Sequence, residues 1–136
     1  MSCESIYNRL KEILLELVNE EDSYFLILEE MLPETPEGVP ALVLSHAPGS
    51  EESLDSWSNQ FNYNYTIHIL LSIQNKEEMA KALDIVLAKF NEKENADTLN
   101  GASVKLNIEW APFITTEDSL IGWQIGVAAS DLSFFT

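Results

Sequence analysis

The chain has 136 residues, a length that suits one domain spanning residues 1–136, and 46% of them are hydrophobic, which argues against disorder. Its formal net charge is −16, of which residues 1–60 carry −11 and residues 61–136 carry −5. Because binding to phosphates requires lysine and arginine, this balance argues against direct nucleic-acid binding. Cys3 is the only cysteine, so an intrachain disulfide is excluded.

The N-terminus and the apolar runs bear on the compartment of the protein. The N-terminus is acidic and lacks a positively charged segment followed by an apolar run, so we expect no signal peptide. No apolar stretch approaches ~18 residues, so we expect no membrane-spanning helix. The single cysteine fits a reducing compartment.

The first half of the chain predicts one helix and two short strands. Residues 2–20 carry an apolar stripe at helical spacing, which predicts an amphipathic helix. Dense apolar runs predict strands at 24–28 and 41–45, separated by a proline-rich segment. These two strands suit an antiparallel hairpin with a loose loop. Residues 47–60 are acidic and rich in serine, which indicates a linker.

The second half predicts a long strand, a helix and two closing strands. Residues 61–73 alternate without a break, with Phe61, Tyr63, Tyr65, Ile67, Ile69, Leu71 and Ile73 on one face. A helix is predicted at 75–90, with Asn75 as its cap and Glu78 as the capping-box partner. Alternation predicts a strand at 104–110, ended by Pro112, and a last strand at 121–129.

Together these elements predict an α+β fold in the order α-β-β-β-α-β-β. We expect a mainly antiparallel sheet of about five strands, with both helices packed on its apolar face. The opposite face should be solvated or should meet a partner. It carries polar side chains, namely Asn64, Thr66, His68, Asn107 and Gln124.

The sequence offers no arrangement typical of catalysis or of metal binding. His46 and His68 are the only histidines, and neither has the spaced ligands of a metal site. Neither a nucleophile elbow nor a glycine-rich phosphate loop occurs. Gly122 and Gly126 interrupt a strand pattern and indicate close packing or a bulge. We therefore expect no enzymatic activity, no cofactor and no metal.

Three features resemble interaction surface instead. The first is Leu54 with Trp57, because a large aromatic residue in a polar segment either packs onto the core or anchors a partner. The second is the apolar C-terminus, which either extends the last strand or contacts a partner; it comprises Leu132, Phe134 and Phe135. The third is the polar face of the long strand, which includes Asn64, Thr66 and His68. At ~3.3 Å per residue that strand would reach roughly 40 Å, more than a domain of this size needs.

The order of elements resembles that of the tail terminator, or tail completion, proteins of long-tailed bacteriophages and prophage-derived tail-like particles. The shared features of the first half are an N-terminal helix (6–18), two early strands (24–28 and 41–45) around a proline-rich segment (33–40), and a serine-rich connection (47–60). Those of the second half are a long aromatic strand (61–73) that passes directly into a helix (75–90), and two closing strands (104–110 and 121–129). The resemblance covers nearly the whole chain.

The resemblance implies a structural protein that forms a ring, in this family a hexamer, which caps the tail tube and offers a docking face to the head connector. Such a protein is present in the host cytoplasm during assembly and then in the virion tail. Six copies of this chain would carry a formal charge of about −96, six times −16. An acidic lumen would let DNA pass without adhering, since like charge removes the drive for binding.

Two other classes of protein stay open. The skewed charge of residues 1–60 would suit an acidic binding protein, of the immunity or inhibitor type, that neutralises a basic partner. An enzyme or ligand carrier that uses a pocket on the sheet is a third class.

If Trp57 anchors a neighbouring subunit, Trp57→Ala will lower self-association without unfolding the chain, because the lost contact lies between subunits. Light scattering combined with a thermal melt checks this. An unchanged oligomer, or a large loss of thermal stability, would place Trp57 in the core.

Overall fold

Two α-helices and five strands make up the described part of the computed structural model, which covers residues 3–30, 38–53, 58–92, 104–114 and 120–134. A short 3₁₀ helix precedes the second α-helix. In chain order the elements are α1 (Cys3–Asn19), β1 (Ile27–Glu29), β2 (Ala41–Ser53), β3 (Ser58–Ser72), the 3₁₀ helix (Ile73–Glu78), α2 (Met79–Phe90), β4 (Val104–Ile114) and β5 (Leu120–Phe134). The predicted α+β class and the predicted order of elements are confirmed.

The five strands form one mixed sheet in the order β1-β2-β3-β5-β4. β1 and β2 run parallel, with Ile27 opposite Ala41, whereas the other neighbouring pairs are antiparallel. The predicted hairpin between the first two strands is therefore wrong. A parallel pair needs a connection long enough to return the chain to the starting end of the sheet, and the proline-rich segment has that length.

Residues 47–60 are mostly strand, so the predicted linker is also wrong. β2 continues to Ser53 and β3 begins at Ser58, and the two stay paired to the end of this hairpin. The register shifts between Ala47 and Ser50, which is the mark of a β-bulge. The Asn64 side chain donates a hydrogen bond of 2.7 Å to the Pro48 carbonyl at this bulge. Composition alone does not reveal these strands, whose backbones pair along the hairpin.

The start of the second helix also differs from the prediction. Ser72 caps the 3₁₀ helix, and its hydroxyl accepts a hydrogen bond of 3.4 Å from the Gln74 backbone N–H. Asn75 lies inside the 3₁₀ helix with non-helical dihedral angles (φ −108, ψ 31), and Glu78 immediately precedes α2. The capping box predicted from Asn75 and Glu78 is therefore wrong, because the chain turns directly out of β3.

The two closing strands are longer than predicted. β4 runs through Pro112 to Ile114, which an edge strand tolerates because proline lacks only the N–H that a further neighbour would use. β5 runs to Phe134, and its last residues pair with the start of β3, with Leu132 opposite Gln60 and Phe134 opposite Ser58. The backbone of the C-terminus therefore extends the strand.

The core lies between the two helices and one face of the sheet. Its members are buried hydrophobic side chains from α1, α2, β2, β3 and β5, among them Ile6, Leu10, Ile13, Leu14, Tyr65, Ile67, Ile69, Leu71, Val86, Phe90, Ile125 and Val127. The apolar positions of the long strand thus hold both helices, as predicted. The Trp123 ring N–H donates a hydrogen bond of 2.9 Å to the Met79 carbonyl and fixes the start of α2 against β5.

Gly122 and Gly126 lie in the same strand but meet different surroundings. A Cβ atom at Gly122 would lie 1.6 Å from the Ile69 carbonyl oxygen, so the two strands approach too closely there for any side chain. A Cβ atom at Gly126 would meet nothing within 4 Å. Close packing thus explains Gly122 but does not explain Gly126.

We predict opposite effects for alanine at these two glycines. Gly122→Ala should lower the free energy of unfolding by about 3 kcal/mol, because the backbone of β3 must move to admit the methyl group. Gly126→Ala, the matched control, should raise it by roughly 0.5–1 kcal/mol, since glycine weakens a strand interior. Urea denaturation of both variants checks this, and equal stabilities would contradict it.

Candidate interaction surface

The face of the sheet that points away from the helices, here called the open face, gathers residues from all five strands. The register aligns Ala47, Asn64, Ala128 and Asn107 in one row across β2, β3, β5 and β4. The next row is Ser45, Thr66, Gly126 and Glu109, and the row after that contains Val43, His68, Gln124 and Ala111. The predicted residues Asn64, Thr66 and His68 therefore lie side by side at the centre of this face.

Charge is divided unequally between the two sides of the molecule. The helix layer carries many charged side chains of both signs. Its exposed carboxylates include Glu4, Glu12, Glu16, Glu20 and Asp84, and its basic residues are Arg9, Lys11, Lys81 and Lys89. Among the side chains described on the open face, only Glu29 and Glu109 are acidic, and no described lysine or arginine lies there. The open face is thus the less charged side of a strongly acidic chain.

One end of the open face is apolar. Ala41, Val43 and Leu70 are buried there, and Ile27, Val39 and Phe113 pack against them. The His68 ring meets Phe113 edge to face, with 5.0 Å between the ring centroids. This second cluster covers part of the sheet without any helix.

Two polar atoms at this end are buried without hydrogen-bond partners. They are His68 Nδ1 and the Glu29 Oε2 atom, whose residues flank Val43 in one row across the sheet. Burial lowers the pKa of His68, so the ring is neutral at pH 7. A buried polar atom without a partner is unfavourable, so both positions are energetically costly in the single chain.

A groove of about 260 Å³ crosses the middle of the open face and is here called the Gly126 groove. Its lining includes Ala47, Asn64, Thr66, Asn107, Glu109, Gly126 and Ala128. Gly126 lies at its floor, and small side chains flank it. A second hollow of about 290 Å³ shares Glu109 and Gly126 and extends to Trp110, whose side chain is 50% exposed at the sheet edge.

A different cluster of aromatic and charged residues joins α1 to the sheet. The Tyr7 ring stacks on His46, with 4.4 Å between centroids, and both rings lie near Tyr65. Lys11 pairs with Glu30, and burial together with the Glu30 carboxylate raises the pKa of Tyr7. These contacts hold the first helix against β1 and β2, so the role of this cluster is structural.

Not every predicted interface residue is placed. Leu54, Trp57 and Phe135 lie outside the described residues, and for Leu132 and Phe134 the structure describes the backbone only. Two residues that line the groove, Gly126 and Glu109, are not among the predicted interface residues. A glycine in the middle of a strand is unusual, but whether it marks close packing or open space depends on the neighbouring strands.

Neither a metal site nor a similar protein assigns a function to this surface. In the described ranges no three histidine, cysteine or acidic side chains come together as a metal site. None of the helices in that part of the chain is long and apolar enough to cross a bilayer. The chain matches no protein-family profile and no curated protein sequence.

We predict that His68 makes stability depend on pH. Because the folded-state pKa lies below the ordinary value of about 6.5, the unfolded chain binds the proton more tightly. The contribution of His68 is fully present above about pH 6.5 and is lost as the pH falls from there through the folded-state pKa.

The test compares wild type with His68→Leu, which keeps an apolar side chain against Phe113. Urea midpoints measured from pH 7.5 to 5.5 should fall more steeply for wild type, because the two proteins differ in no other titratable group. Parallel pH profiles would contradict the prediction.

Proposed function

We propose that this chain is a structural subunit of a ring, of the tail terminator type, that caps a phage or phage-like tail tube. The observation that supports the proposal most is the open face, where only Glu29 and Glu109 carry charge among the described side chains. Interface cores are depleted of charged residues, since a carboxylate loses its hydration on burial. Of the two sides of the sheet, the open face meets a neighbouring protein at the lower desolvation cost.

The length of the sheet supports the same proposal. β3 has 15 residues and so extends about 50 Å, whereas α1 has 17 residues and extends only about 26 Å. The sheet therefore outreaches the helices that cover it. At its far end, 58–62 pairs with 50–53 and with 130–134. A sheet that projects beyond its own core is suited to contact with another subunit.

The charge supports a role next to DNA rather than on it. In a ring with carboxylates toward its centre, DNA would pass without adhering, because no cations are available to replace its counterions. The ring would lie between the tail tube and the head connector, in the host cytoplasm during assembly and in the virion tail afterwards. A basic or neutral lumen in a solved ring would contradict this account of the charge.

An acidic binding protein is the second candidate. The observation that favours it is the net charge of −11 on residues 1–60, which would attract a basic partner and speed its association. A persistent monomer that binds a basic protein more weakly as salt increases would favour this candidate over the ring.

We predict that the purified chain forms a discrete oligomer, a hexamer in the family that it resembles, and a closed ring in negative-stain electron microscopy. Thr66→Arg should lower self-association, because it places a charge at the centre of the open face. Asn8→Arg adds the same charge on an exposed position of α1 and should have little effect.

Light scattering over a concentration series measures both variants. A wild-type chain that stays monomeric, or an oligomer that Thr66→Arg and Asn8→Arg affect equally, would count against the proposal.

A further inference from the structure

We propose that the Gly126 groove binds the 3₁₀ helix of a second copy of this chain, with Lys76 of that copy placed against Glu109. The inference rests on the proposed ring and identifies the contact that closes it. The contact joins two different patches of the molecule. Such head-to-tail contacts produce a ring when the rotation from each copy to the next brings the last copy back to the first.

The first argument is the space above Gly126. Glycine in a strand interior lowers stability, and it is retained where a bulge, a close backbone approach or a ligand requires it. Gly126 pairs in register with Thr66 and Glu109, and a Cβ atom there would project into open space. The fold of one copy gives no reason for a glycine at this position, whereas an incoming side chain would.

The second argument is the pairing of charges within one copy. Arg9 pairs with Glu12 and Lys11 with Glu30, and Lys89 contacts three carboxylates. Lys81 lies over the Tyr24 ring, 5.0 Å from its centroid. Each of these basic side chains therefore already has an interaction within its own copy.

Lys76 is the exception among the described basic side chains, and Glu109 is the exposed carboxylate among those described on the open face. The side chain of neither residue makes a hydrogen bond, ion pair or ring contact. They lie on different parts of the fold, Lys76 in the 3₁₀ helix after β3 and Glu109 on edge strand β4. A base and an acid that are both unpaired in one copy are complementary between two copies.

The third argument is the apolar surface beside each charge. Ile73 lies three residues before Lys76 in the same 3₁₀ helix and is 44% exposed. The groove offers Gly126 and Ala128, beside Glu109, to the aliphatic part of a lysine. A lysine buries its stem on apolar surface while its ammonium group reaches a carboxylate or an aromatic face.

A charge exchange tests the contact. Glu109→Lys should weaken self-association by about tenfold, because two cations then face each other. Repulsion between whole molecules predicts the opposite, since this change makes the chain less acidic. Asp84→Lys changes the net charge by the same amount on the exposed side of α2 and should not weaken association.

The reverse change, Lys76→Glu, should also weaken association by about tenfold, and the double exchange should restore the wild-type dissociation constant to within about threefold. Gly126→Leu should weaken association by filling the groove, and neither charge exchange should rescue it. Sedimentation velocity at about 150 mM salt, where the screening length is roughly 8 Å, measures each constant. Circular dichroism confirms that each variant is folded.

The outcomes separate this contact from the proposed function. An oligomer that tolerates Glu109→Lys, or one that the double exchange does not restore, would overturn the contact and leave the ring standing. A wild-type chain that is monomeric throughout would overturn both.

Discussion

The cost of removing carboxylates from water governs the arrangement of this molecule. With a net charge of −16, the chain must leave most of its acidic side chains solvated. Glu16 of α1, Glu20 just after it and Glu92 just after α2 lie close together, where they would repel each other if no cation lay between them. Lys89 of α2 reaches Glu16, Glu20 and Glu92, at 3.1, 3.4 and 3.6 Å, and joins the helices. Burial acts to lower the pKa of Lys89, and these carboxylates outweigh it and raise the pKa.

Packing both helices on one face of the sheet has a consequence for the other face. One face of β3 must hold both helices, so its residues are large and apolar, and the other face is left with side chains that are small, polar or weakly apolar. That face keeps buried polar atoms without partners at Glu29 and His68 and a groove above Gly126. Among its described side chains only Glu29 and Glu109 are acidic, and none is basic.

The sequence predicted the parts of the fold that follow from local periodicity. Alternation over 61–73 identified the central strand and the face that carries Asn64, Thr66 and His68, because side chains switch sides at each strand residue. Helical spacing identified both helices. The predictions failed where pairing between distant segments decides the structure, as in the parallel pairing of β1 with β2 and the strand that replaces the predicted linker at 47–60. Local composition carries little information about such pairing.

The groove shows the same limit at the level of one residue. Gly122 and Gly126 look alike in the sequence, four residues apart in one alternating strand. Only the strand order β3-β5-β4 shows that Gly122 is pressed against the Ile69 carbonyl whereas Gly126 faces open space beside Glu109. The first glycine is required by the fold, because any side chain would push two strands apart. Gly126 lowers the stability of its own strand, and no contact within the single chain requires a glycine there. That asymmetry is why the groove, and not the tighter position, points to contact with another molecule.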